Sequence, residues 1–137
     1  TPTLSDDDTV NAGEGEDSIE GHFGNDLILG GDDDDLIYGD GSAEFSLPGN
    51  SGPDTVDAGD GNDLVFGGAG DDELSGDSGN DRLFGQAGRD VLLGGTGGPG
   101  IDTVDGGAGG DRLFTSLADA VFSDPADVLA PDVSDLA

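Results

Sequence analysis

An aspartate is followed two residues later by an aliphatic side chain, and the pair returns every nine residues along most of this chain. The aliphatic members are Val10, Ile19, Ile28 and Ile37, then Val56, Val65, Leu74, Leu83 and Leu92, and finally Val104 and Leu113. Eleven nine-residue units result: 3–11, 12–20, 21–29, 30–38, 49–57, 58–66, 67–75, 76–84, 85–93, 97–105 and 106–114. Position 6 is Asp in all eleven: Asp8, Asp17, Asp26, Asp35, Asp54, Asp63, Asp72, Asp81, Asp90, Asp102 and Asp111. Position 8 is Val, Ile or Leu in all eleven, position 4 is Gly in nine and position 1 is Gly in eight. Asp6 and Asp33 fill the other two places at position 4. A fixed phase of this kind marks a stack of small identical units, none of which buries its apolar face alone.

Composition alone points elsewhere. The 137 residues carry 32 acidic side chains against 3 basic ones, a formal charge of −29. Only Glu14, Glu16, Glu20, Glu44 and Glu73 are glutamates; the remaining acids are aspartates. Apolar residues are 32%, below the ~45–50% of ordinary domains. Such a chain reads as disordered, but a disordered acidic linker has no phase, and this one has. The charge makes nucleic acid and anionic lipid poor partners, because so few basic residues form no patch to neutralise phosphates. No run of about 18 apolar residues exists to span a membrane. With no cysteine, disulfides and thiolate metal sites are excluded.

Within a unit, the last three residues read as a short strand whose side chains alternate. Position 8 then points inward, giving a core one aliphatic residue deep. Positions 1–6 must reverse the chain. Glycine at 1, 2 and 4 permits positive φ and lets stacked turns approach closely.

Gly67-Gly68-Ala69-Gly70-Asp71-Asp72-Glu73-Leu74-Ser75 and Gly106-Gly107-Ala108-Gly109-Gly110-Asp111-Arg112-Leu113-Phe114 match the pattern GGxGxDxUx at every defined position. By these units the chain resembles the RTX (repeats-in-toxin) family of calcium-binding nonapeptide repeats, over residues 3–114. The resemblance implies an all-β fold, a parallel β-roll (a right-handed β-helix) with Ca²⁺ held between turns. It also implies a secreted bacterial protein, extracellular or at the cell surface, exported by a type I secretion machinery through a C-terminal signal.

Calcium takes 6–8 oxygen ligands, carboxylate and carbonyl. The position-6 aspartates of stacked turns are expected to supply carboxylates. Carbonyls of the glycine-rich segment are expected to supply the rest, from Gly13, Gly15, Gly24, Gly31, Asp33, Gly59, Gly61, Gly68, Gly70, Gly79, Gly88, Gly107 and Gly109. Aspartate suits this better than glutamate because its short stem holds the oxygens near the backbone. With two units per coil, one row runs Asp8, Asp26, Asp54, Asp72, Asp90, Asp111 and the other Asp17, Asp35, Asp63, Asp81, Asp102. The gaps admit roughly five to nine ions. Nine would bring −29 to about −11. Some five coils about 4.8 Å apart give a rod roughly 25 Å long. Without calcium, the repelling carboxylates predict an expanded coil, with ion binding and folding a single event.

Two segments break the phase. Residues 39–48 read as a bulged turn; the other reading is a degenerate unit with Glu44 at position 6, which would swap the rows after Tyr38. Pro48, and Ser46 in place of an aliphatic residue, favour the bulge. A shorter insertion is expected at 94–96. Tyr38, Phe66 and Phe84 fall in one outward ladder. It reads as surface cross-strand stacking or as a face for a partner or self-association.

Residues 115–137 leave the repeat. Leu117, Ala118, Val121 and Phe122 fit one side of a short helix, and Asp124-Pro125 resembles a helix start. This segment is expected to be a cap over the last coil, a type I secretion signal, or both, with Asp132 to Ala137 mobile. The chain begins at Thr1 without Met or a signal peptide, as an excised piece of something longer would.

No catalytic constellation emerges. His22 is the single histidine and sits in a turn, and the carboxylate pairs recur at a fixed step instead of forming one pocket. The run from Asp71 starts like an EF-hand, but its twelfth position is Arg82. Position 3 carries no Thr array of the kind ice-binding relatives present. The chain therefore reads as a calcium-binding module and not an enzyme. The alternatives are an accessory module of a secreted protease or alginate-epimerase-like enzyme, or an adhesin spacer.

Overall fold

The computed structural model of the chain describes residues 7–41, 51–95, 100–115, 120–122 and 128–131. Thirteen strands follow one another: β1 (Thr9–Glu14), β2 (Ser18–His22), β3 (Leu27–Asp32), β4 (Leu36–Asp40), β5 (Thr55–Asp60), β6 (Leu64–Ala69), β7 (Glu73–Ser78), β8 (Arg82–Ala87), β9 (Val91–Leu93), β10 (Thr103–Asp105), β11 (Arg112–Thr115), β12 (Ala120–Phe122) and β13 (Val128–Pro131). Odd-numbered strands form one parallel sheet in chain order, and even-numbered strands form the other. Each coil of the chain thus lays one strand in each sheet, and the strand two along stacks on it. This is the parallel β-roll.

Register holds the repeat in phase. Val10 pairs with Ile28, Ile28 with Val56 and Val56 with Leu74. In the other sheet Ile19 pairs with Ile37, Ile37 with Val65 and Val65 with Leu83. These position-8 side chains meet between the sheets. From Ile19 to Leu113 all are buried, most with no exposed surface. Burial of each such side chain contributes about 1.5–3 kcal/mol, and Ala58 adds the remaining core methyl.

The strands are longer than the three residues the repeat suggested. Six of the thirteen, β1, β3 and β5 to β8, run from position 7 through position 3 of the next unit, so Gly13 pairs with Gly31 and Glu14 with Asp32. The reversal is left to positions 4–6 alone. It closes because alternate residues 6, 8 and 1 all point inward, and the side chain at position 1 is absent or a methyl.

The insertions also sit later than the sequence placed them. Gly39 and Asp40, read as the start of the 39–48 bulge, belong to β4. β4 ends at Asp40, Ser51 bridges to Gly24, and β5 stacks on β3. The rows therefore do not swap. Likewise Gly94 and Gly95, read as part of the 94–96 insertion, occupy positions 1 and 2. Gly95 stacks against the main chain of Asp77 at φ 135°, and the extra residues fall between Gly95 and Gly100.

The expected C-terminal helix is replaced by strands. β12 pairs with β10, placing Phe122 beside Asp105, and β13 pairs with β11. An unpaired sheet edge is a template for whatever chain follows it, and here it outweighs a weak amphipathic spacing. Leu117, Ala118, Asp124, Pro125 and Asp132–Ala137 lie outside the described residues.

Candidate metal centre

The inward aspartates form two columns, one along each edge of the roll. In each, the main-chain N–H of one aspartate donates to Oδ1 of the aspartate in the next coil. On one edge Asp8 donates to Asp26 (2.7 Å), and Asp26 to Asp54, Asp54 to Asp72 and Asp72 to Asp90 (each 2.9 Å). The column ends with Asp90 donating to Asp111 (2.8 Å). On the other edge Asp17 donates to Asp35, Asp35 to Asp63, Asp63 to Asp81 and Asp81 to Asp102, at 2.8–2.9 Å. Both columns are thus the predicted rows, member for member. Asp8 is exposed and Asp17 half-buried at the open end, while Asp26 through Asp111 are buried.

The second oxygen is different. Oδ2 of Asp26, Asp35, Asp54, Asp63, Asp72, Asp81 and Asp90 is buried without a hydrogen-bond partner. In every one of these turns but that of Asp63, whose position 1 is Ala58, it occupies the space that glycine at position 1 vacates. A methyl group added to Gly39 would lie 2.5 Å from Oδ2 of Asp54 and 2.7 Å from the Gly67 carbonyl oxygen. One added to Gly67 would lie 2.5 Å from Oδ2 of Asp72 and 3.0 Å from the Gly85 carbonyl. The position-1 glycines of these turns therefore serve for room, although the Asp63 turn accommodates the methyl of Ala58. Positive φ belongs to position 2, as at Gly31 (129°) and Gly107 (86°), and to position 4 in many turns, as at Gly15 (109°) and Gly24 (127°).

An ionised carboxylate held this way is costly, and its proton affinity shows it. Burial pushes Asp54, Asp72 and Asp81 up to about 7, and Asp63 and Asp90 up to about 6, against the Asp ordinary value of 3.8. The donated N–H lowers each, and neighbouring carboxylates raise it further. Asp26 and Asp35 shift upward for the same reason. Two of the three arginines are turned outward: Arg82 and Arg112 lie over the rings of Phe84 and Phe114, 5.7 and 5.2 Å from their centroids.

The glycines named from the sequence line the same turns through their main chains. Gly13, Gly15, Gly24, Gly31, Gly59, Gly61, Gly68, Gly79, Gly88 and Gly107 have positive φ, as does Asp33 (84°). Gly70 and Gly109 do not, but a side chain on either would strike the carbonyl of Gly52 or Gly88 in the coil before. Asp33 exposes its side chain, and its carbonyl packs against Gly61. Among the described residues no three carboxylate or imidazole groups converge. The cavity chemistry is one carboxylate per turn among main-chain carbonyls. A hard divalent cation with oxygen ligands fits that donor set, and the orphaned Oδ2 atoms are where its charge is missing.

Two features escaped the sequence reading. Position 5 builds a second, outer ladder running the opposite way. Oδ1 of Asp34 accepts from the Asn62 main chain (2.8 Å), Asn62 from Asn80 (3.1 Å) and Asn80 from Ile101 (3.0 Å). The recurrence of Asn or Asp at 7, 25, 34, 62, 71 and 80 was the signal. The other is Asp40, a buried carboxylate outside the position-6 rows. His22, expected in a turn, is instead the exposed last residue of β2, 3.8 Å from Glu20. On the outer face Tyr38, Phe66 and Phe84 stack with centroids 5.0 and 5.1 Å apart.

The family model of the RTX calcium-binding nonapeptide repeat matches the chain in four copies, at residues 3–37, 48–83, 67–98 and 96–119. No curated protein and no solved structure matches it.

Proposed function

Because the chain belongs to the family of RTX calcium-binding nonapeptide repeats, we propose that it is a calcium-triggered folding module. In this reading it is an unfolded coil where calcium is scarce and an ordered roll where calcium is plentiful. The observation that carries it is the column of buried, unpartnered Oδ2 atoms, repeated on both edges of the roll. Each is an anion taken out of water with no proton donor to answer it. The ligand set is the position-6 aspartates with the turn carbonyls, and the count is roughly five to nine ions.

An ion bound only by the folded form stabilises it by mass action, and several ions in series make the effect large. The apolar core is one side chain deep and does not offset the repulsion by itself. The same switch suits export. An acidic coil threads a type I secretion channel from a low-calcium cytosol, then folds outside and cannot slip back. The segment after residue 115 is the proposed signal, and the module belongs to a secreted or surface protein of a bacterium.

Circular dichroism in EDTA and then in millimolar calcium tests the coupling. A disordered spectrum that converts to β on calcium addition is expected. A β spectrum already present in EDTA refutes it.

A further inference from the structure

The interrupted turn is chemically unlike the others. In an uninterrupted turn the position-2 main-chain carbonyl meets the coil that follows: Gln86 accepts from the N–H of Ala108 at 2.7 Å. At the corresponding place before the insertion, the acceptor is the Asp40 side chain. Its Oδ2 takes the N–H of Ala69 at 2.7 Å, and the carboxylate packs on Gly68, where any side chain would collide with it. Asp40 is 4% exposed, and its Oδ1 is buried without a hydrogen-bond partner. Asp26, Asp54 and Asp72, three consecutive members of one column, all feel its repulsion.

We propose that Asp40 is a calcium ligand of the interrupted turn, a side-chain carboxylate standing where the repeat elsewhere supplies a neutral main-chain carbonyl. The proposal rests on the calcium reading above. It adds a residue outside the repeat pattern and a rank order among the sites. β4 ends at Asp40, and the N–H that a position-2 carbonyl accepts elsewhere is taken here by the Asp40 side chain. The short aspartate stem returns an oxygen to the gap, and with it one more negative charge. No three carboxylates converge among the described residues, so Asp40 joins a set of one column aspartate and carbonyl oxygens. Affinity in oxygen-ligand calcium sites rises with the number of charged ligands. The interrupted turn is therefore the tightest site and fills first, pinning the coils on either side of the insertion.

The test is a calcium titration by calorimetry of the whole chain, its Asp40→Asn variant and an Asp57→Asn control that removes an exposed outer-face charge. Asparagine keeps an oxygen for the Ala69 N–H. Loss of one ion, or weakening of the tightest class by about tenfold or more in Asp40→Asn alone, is expected from the lost ligand charge. Unchanged stoichiometry and affinity in Asp40→Asn overturns the proposal, as does an equal effect in Asp57→Asn. If Asp40→Asn does not reach the β spectrum in saturating calcium, Asp40→Glu decides. Refolding at the wild-type calcium midpoint supports a charged ligand, and failure to refold overturns it. A wild-type chain that binds no calcium fails the underlying reading instead, so the two failures are distinguishable.

Discussion

An aspartate in this roll has two oxygens with opposite fates. One is tied to the coil beside it; the other faces inward with nothing to accept. The consequence is a linkage between protons and calcium. In the metal-free roll the native form holds protons more tightly than the unfolded chain, because Asp54, Asp72 and Asp81 are raised to about 7 from 3.8. The penalty they impose is absent below about pH 4, grows as pH rises and is complete above about pH 7. On the proposed reading the calcium-free chain is the unfolded coil, whose aspartates ionise near the ordinary 3.8, so protons compete with calcium only as pH falls toward about 4. The apparent affinity is therefore expected to be level from about pH 5 to 7 and to drop at lower pH. Calorimetric titrations across that range check it, and an affinity that climbs steadily from about pH 5 to 7 contradicts it.

At the scale of strands and turns, the sequence was legible where a residue type repeated in fixed phase. The two aspartate columns and the aliphatic core follow from Asp at 6 and an aliphatic at 8, because alternation fixes both side chains inward. What escaped was set by contacts between coils. Glycine at position 1 serves the carboxylate of its own turn, a steric relation no local propensity reveals. Asp40 is a single residue, outside any repeat. The helix expected around Leu117–Phe122 gave way to β12 because β10 offered an edge to pair with. The aromatic column makes its own prediction. Phe66 stacks on both Tyr38 and Phe84, each pair adding about 0.5–1.5 kcal/mol. Phe66→Ala is expected to lower the stability of the calcium-loaded roll by about 1–3 kcal/mol, more than Tyr38→Ala or Phe84→Ala. Thermal unfolding in saturating calcium measures it, with ion stoichiometry unchanged.

Over the whole molecule, the charge of −29 acts in two ways that salt separates. Long-range repulsion between exposed acids is screened by monovalent salt; the cost of the dry inner carboxylates is not. Sodium chloride at about 1 M with EDTA present is therefore expected to compact the coil without restoring the β spectrum. Scattering and circular dichroism together read this. A full β spectrum in sodium alone would mean that screening, and not specific coordination, drives folding.

The parallel stacking carries a consequence for the gene. Where no insertion intervenes, every inner contact along an edge joins residues eighteen apart. A slip in copying that gains or drops eighteen codons returns the same molecule, one storey taller or shorter, with every seam intact. A slip of nine turns all that follows to the opposite wall and splits the ring column between two faces. Drift in length is thus filtered by parity, and even numbers of units are the increments in which such a rod can be lengthened or trimmed.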